Sequence, residues 1–189
     1  RLSPLTELAQ SAARLPLAPE SRRRLSRICA LFALDSLAGG FLGSALLAFY
    51  FHTRFGAADT AVAALFVAAR ILNALSHLAA AWLARRIGLV NTMVFTHIPS
   101  SLLLMSVPIA PDFATAALLF LLREGLVEMD VPTRQSYVMA MVRPEERTFA
   151  SGVTHLVRLG GWAVGPAFAG LIMQIVALGS PLVVGAAMK

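Results

Sequence analysis

An all-α fold, a polytopic transmembrane helical bundle, is what this sequence predicts, and three observations carry the prediction. Of its 189 residues 58% are hydrophobic and 14% are charged. The mean hydropathy of +0.74 is far above that of a water-soluble domain of this size. The apolar residues fall in runs of about 20 or more, enough for a helix to cross a hydrocarbon core of about 30 Å. Such runs are too long for strands and lack alternation with period two.

The elements follow in order. Residues 1–27 read as a basic linker that ends in SRRRLSR, a topology anchor near anionic headgroups. Span one, 28–51, carries Asp35 and the small residues Gly39 and Gly43. Span two, 59–84, carries Arg70, Asn73 and His77, spaced i, i+3, i+7 so that they form one stripe. Span three, 91–110, has no Asp, Glu, Lys or Arg, and its His97 reads as a hydrogen-bonded packing residue. Span four, 113–134, ends in LLREGLVEMDVPTR, with Arg123, Glu124, Glu128, Asp130 and Arg134 in what should be bilayer. Span five, 149–177, holds His155, Arg158, Gly161, Gly165, Pro166 and Gly170, and a sixth starts at Pro181 and is cut at Lys189. The connectors FHTRFGA, RRIGLV, PD, RPEERT and GSP are short, so consecutive spans are antiparallel neighbours.

An ionised group at the bilayer centre costs about 2.5–3.5 kcal/mol even on the lenient insertion scale, so these polar stripes must face protein or water. Spans one, two, four and five are therefore expected to surround a polar path, with span three outside it. Asp35, Asp130 and Arg134 lie near span ends, where pairing and snorkelling satisfy them. Arg70, Arg123 and Glu124 lie near the midplane by the helical rise. Glu124 and Glu128 are four apart on one face. Two ionised carboxylates there repel, so one is expected to take up a coupling proton unless a cation, Arg123 or Arg158, neutralises it.

Loop charge sets the orientation. Residues 1–27, 85–90 and 143–148 hold Arg1, Arg14, Arg22, Arg23, Arg24, Arg27, Arg85, Arg86, Arg143 and Arg147, against only Arg54 on the other side. The basic side is expected to be cytoplasmic, in a bacterial inner membrane. The net charge of +6 does not point to nucleic acid, because no aromatic-basic stripe accompanies it. Cys29 excludes an internal disulfide and a cysteine metal cluster, and the histidines show no H-E-x-x-H. No phosphate-binding G-x-x-x-x-G-K-[ST] is present, and no cofactor is expected. An intramembrane enzyme is the competing class. Its only candidate pair, Ser151 and His155 in SGVTH, lacks a G-x-S-x-G turn and reads as polar packing.

AWLARRIGLVNTM, GVTHLVRLGGWAVGPAFAG and MDVPTRQSYVMAMVRPEERTFASG together resemble the C-terminal half of a major facilitator superfamily (MFS) transporter, over about residues 20–188. The first is similar to the superfamily's G-x-L-A-D-R-x-G-R-R loop motif. Leu83, Ala84, Arg86 and Gly88 match, whereas Ala81, Arg85, Leu89 and Val90 depart from it. The second is similar to its G-x8-G-x3-GP-x2-GG motif, with one residue more before Gly170, and the third to its P-x-x-R and P-E-x-R connector. The resemblance implies an MFS-type six-helix half, helices seven to eleven and the start of twelve. It also implies a secondary carrier working by alternating access, with substrate at the midplane between the halves. Arg86, Gly88, Arg134, Glu146 and Arg147 are then cytoplasmic gate candidates. The implied partners are a small-molecule substrate, membrane lipids and an N-terminal half of the same transporter. A non-transporting scaffold or a decayed fragment is the remaining alternative.

Overall fold

The computed structural model describes residues 19–189, apart from the side chains of Pro19, Asp130, Pro132 and Thr133. The described residues form eight α-helices and no strand: α1 Pro19–Gly40, α2 Ser44–Phe55, α3 Asp59–Ile87, α4 Leu89–Ser106, α5 Phe113–Val127, α6 Asp130–Met141, α7 Arg147–Ile175 and α8 Ser180–Ala187. The protein is an all-α membrane helical bundle. Four stretches, Glu20–Phe55, Asp59–Ile87, Leu89–Ile109 and Pro144–Ile175, are long and apolar enough to cross a bilayer. The expected fourth span is not among them, because its charges and its interruption lower its apolar continuity.

The first span starts earlier than its apolar run. Helix α1 begins at Pro19, inside the segment read as linker, because one face of the basic stretch has somewhere to pack. Ser21 and Leu25 are buried while Arg22, Arg23 and Arg24 are exposed, and Leu25 joins Val138, Val142 and Ala150 in a small core. Glu20 and Arg24 close an ion pair one turn apart at 2.5 Å. The span then breaks at residues 41–43. Phe41 N bonds the Leu37 and Ala38 carbonyls, and Gly43 N bonds Gly40, which is a tightened turn between glycines.

The fourth span is longer than 113–134 and is also broken. Pro132 has no N–H to offer the Glu128 carbonyl four residues back, so α5 stops at Val127 and α6 starts at Asp130. Between them Met129 N bonds Leu126 and Val131 N bonds Glu128, both three residues apart. Arg123 and Arg134 therefore lie on different helices, although the sequence reads both into one span. The side chain of Asp130 lies outside the described residues.

Helix α1 lies along α7, while α5 sits between α3 and α4, and α4 also meets α6 and α8. Around α2, α3 and α5 an aromatic core of Tyr50, Phe51, Phe66, Phe113 and Phe120 fills the end opposite the basic loops. Helix α4 packs through Thr92, Thr96, Ser100 and Leu104, each one turn from the last. The three hydroxyls return to backbone carbonyls of their own helix at 2.8 Å, so each is satisfied without a partner from another helix.

The closest approach joins α1 and α7. A Cβ at Gly165 would lie 2.7 Å from Gly40 Cα, and one at Gly161 would lie 2.6 Å from Ser36 Cβ. Only glycine lets the two backbones meet at this distance. Of the small residues noted in the sequence, Gly43 faces nothing nearer than the carbonyl of Gly40 at 3.6 Å, and Gly170 faces open space. The device on span one is Gly40, with Gly39 set against the Trp162 indole.

Candidate functional site

Asn73 is the central residue of α3, about 21 Å along the axis from either end. It is 5% exposed, and its Nδ2 donates to Glu124 Oε2 at 3.0 Å. The other carboxylate oxygen of Glu124 takes the Arg123 guanidinium, both residues being buried. Glu124 thus has both oxygens engaged at the level of the midplane. Gly125 makes this possible, since a Cβ there would press within 3.2 Å of Leu72 on α3. Gly125 was not among the sequence candidates. Its signal, a glycine beside a buried charge pair, is visible only once α3 and α5 are seen to cross.

The stripe on α3 divides. Arg70 and His77 are exposed whereas Asn73 turns inward, because at about 100° per residue Asn73 lies some 60° round the helix from Arg70 and about 40° from His77. Arg70 lines an open cavity of about 350 Å³, and His77 does not. That cavity takes Asp35, Gly39, Gly43 and Leu47 from the first span and Phe66 and Arg70 from α3. Phe120, Arg123, Glu124, Glu128 and Arg134 line it from α5 and α6, Arg158, Trp162 and Pro166 from α7, and Lys189 follows α8. No residue of α4 lines it.

Toward the basic end lies a second charged group. Arg134 Nη1 donates to Asp35 Oδ2 at 2.6 Å, and its guanidinium stands over Phe32 at 5.2 Å. His97 Nε2 and Lys189 Nζ approach Asp35 Oδ1 at 3.8 and 4.0 Å. Span three is thus outside the cavity yet inside the ion network. His97, read from the sequence as packing, joins Asp35, and Lys189 was not a candidate at all. No spacing rule links these residues, which come from four elements.

Arg158 packs over Trp162 at 5.1 Å. With Arg134 it also lines a smaller cavity of about 160 Å³ that holds Ser151, Thr154 and His155, so these two arginines stand between the two spaces. Among the described residues no hydrogen bond joins Ser151 to His155. The gate candidates do not form one group. Arg134 binds Asp35, while Arg147 Nε donates to the Met139 carbonyl at 3.1 Å and Glu146 is half-buried beside it. Arg86 instead stacks on Trp82 at 5.2 Å, at the exposed α3–α4 turn where Gly88 takes φ +85°.

No family model matches the chain. It is 28% identical over 157 residues to the uncharacterized membrane protein YJR124C of Saccharomyces cerevisiae, a match covering 82% of this chain and 35% of the yeast protein. The chain therefore spans about a third of that relative's length. Its own apolar helices and this similarity agree that it is an integral membrane protein.

Proposed function

We propose that this chain is one half of an MFS-type secondary carrier that moves a small solute by alternating access. The observation that supports this most is the cavity at the level of Asn73, whose walls come from the first, second, fourth and fifth spans and none from the third. A buried charge pair at the bilayer centre is costly unless it serves a polar path, and Glu124 with Arg123 borders such a path. The greater length of the yeast relative is in keeping with a second half that closes the cavity. That relative offers no support for the bacterial membrane expected from the sequence, so the proposal covers an integral membrane carrier without naming the membrane.

Glu128 is the coupling candidate in this reading. Arg123 and Asn73 already occupy Glu124, whereas Glu128 lines the cavity half-buried, with no ion pair or hydrogen bond from another side chain among the described residues. The test is the full-length protein in liposomes, assayed for solute exchange and for accumulation driven by a pH gradient. Glu128→Gln is expected to keep exchange and lose accumulation, because glutamine cannot load and release a proton. If the wild-type protein gives no flux for any class of solute, the carrier reading fails.

A further inference from the structure

We infer that the midplane cavity selects organic anions, with an oxyanion group seated on Arg70 and the apolar body of the solute against Phe66, Phe120 and Trp162. This names the solute class for the proposed carrier and rests on that reading for movement, though not for binding. The cavity wall carries the cations Arg70, Arg123, Arg134, Arg158 and Lys189. Among the described residues its acids are Asp35, Glu124 and Glu128. Arg123 is committed to Glu124 and Arg134 to Asp35.

Arg70 is different. It lines the cavity and makes no hydrogen bond or ion pair among the described residues. It lies three residues from Asn73, so about 4.5 Å from the midplane, where a guanidinium without a counter-charge is costly. Glu128 is not that counter-charge. Arg70 lies three residues toward the non-basic end from Asn73, and Glu128 four residues the other way from Glu124. Some 10 Å of helix rise therefore separates their levels. A planar guanidinium fork fits a carboxylate, sulfonate or phosphate ester through two parallel hydrogen bonds. On the wall of the same cavity Trp162 is half-exposed and Phe66 partly buried, a surface for an apolar group rather than for a bare inorganic ion.

The test uses the full-length protein in a non-ionic detergent without anionic lipid. The shift of its unfolding temperature is read against matched probes: benzoate, benzamide and benzylammonium; hexanoate, hexanamide and hexylammonium; phenyl phosphate and phenol. The expected result is stabilisation by anionic members and none by their neutral or cationic partners. Arg70→Gln is expected to raise the anion concentration needed by about tenfold or more, as loss of a charge-assisted pair implies, with part retained in Arg70→Lys. Equal stabilisation by neutral or cationic probes overturns the inference, as does an anion effect undiminished in Arg70→Gln, or no response to any anion. A response confined to added phosphatidylglycerol assigns Arg70 to lipid and overturns it too. Charge selectivity is read on the wild-type protein, so a variant that fails to fold does not block the test. Anion binding without flux defeats the carrier and spares this inference. Flux of neutral or cationic solutes in preference to anions does the reverse.

Discussion

Asp35 is held from three directions, and removing its charge weakens every one of these contacts. Its carboxylate receives Arg134 at 2.6 Å, with His97 and Lys189 further out, and the Arg134 side chain is only 8% exposed. Asp35→Asn should therefore destabilise the fold by about 1–3 kcal/mol, the cost of removing the charge from the acceptor of a buried, charge-assisted hydrogen bond. His97→Gln keeps a neutral polar group in place and should cost less than about 1 kcal/mol. Denaturant unfolding in detergent compares the two, and the reverse order would make His97 the principal partner. Asp112 gives a prediction outside the spans. It caps α5, accepting Thr115 N at 2.9 Å and Thr115 Oγ1 at 3.0 Å, and these hydrogen bonds hold its carboxyl below the usual carboxylate range. A lowered value means the contribution is present above the ordinary range and is lost as pH falls through the folded value. Asp112→Ala should accordingly melt earlier than wild type at about pH 7, and the gap should narrow toward about pH 3. A gap independent of pH would show that the cap does not act through its charge.

At the scale of elements the α1–α7 crossing decides the shape of the cavity wall, since Gly39, Trp162 and Pro166 belong to both. Helices this close leave no room for a side chain at Gly165, where a Cβ would also lie 2.8 Å from the Leu37 carbonyl oxygen. Gly165→Ala should cost about 1–3 kcal/mol through overpacking, and Gly165→Leu should prevent the fold or abolish flux. Ala167, two residues on, is exposed, and Ala167→Leu should stay within about 0.5 kcal/mol of wild type. Unfolding and transport measured on both variants compare the sites, and equal behaviour would remove any packing role for Gly165. The break between α5 and α6 was legible in part, because Pro132 stands in the sequence. That it would re-aim Arg134 toward Asp35 was not, since the direction after a turn depends on what the next helix packs against.

For the whole molecule the cavity is open on one side, with Arg70 exposed to it. Residues 1–189 alone should not carry solute, because their polar wall would meet lipid. Expressing this chain with and without a six-span N-terminal half, and measuring uptake of organic anions, checks this. Robust flux by the chain alone would mean that copies of it complete the path.

Composition and run length determined the class of this protein by themselves. A chain this apolar buries its backbone polar groups in helices, and short connectors allow only antiparallel neighbours. The absence of Asp, Glu, Lys and Arg from span three also placed it off the polar cavity, and no residue of α4 lines that cavity. Contacts between distant segments were left for the tertiary structure to decide. It joined Asn73 to Glu124 rather than to its stripe-mates, chose Gly40 over Gly43 as the partner of α7, and gathered His97 and Lys189 around Asp35. The physical reason is that spacing along one helix specifies which side chains share a face, while the rotation and crossing of each helix follow from the packing of all its neighbours at once.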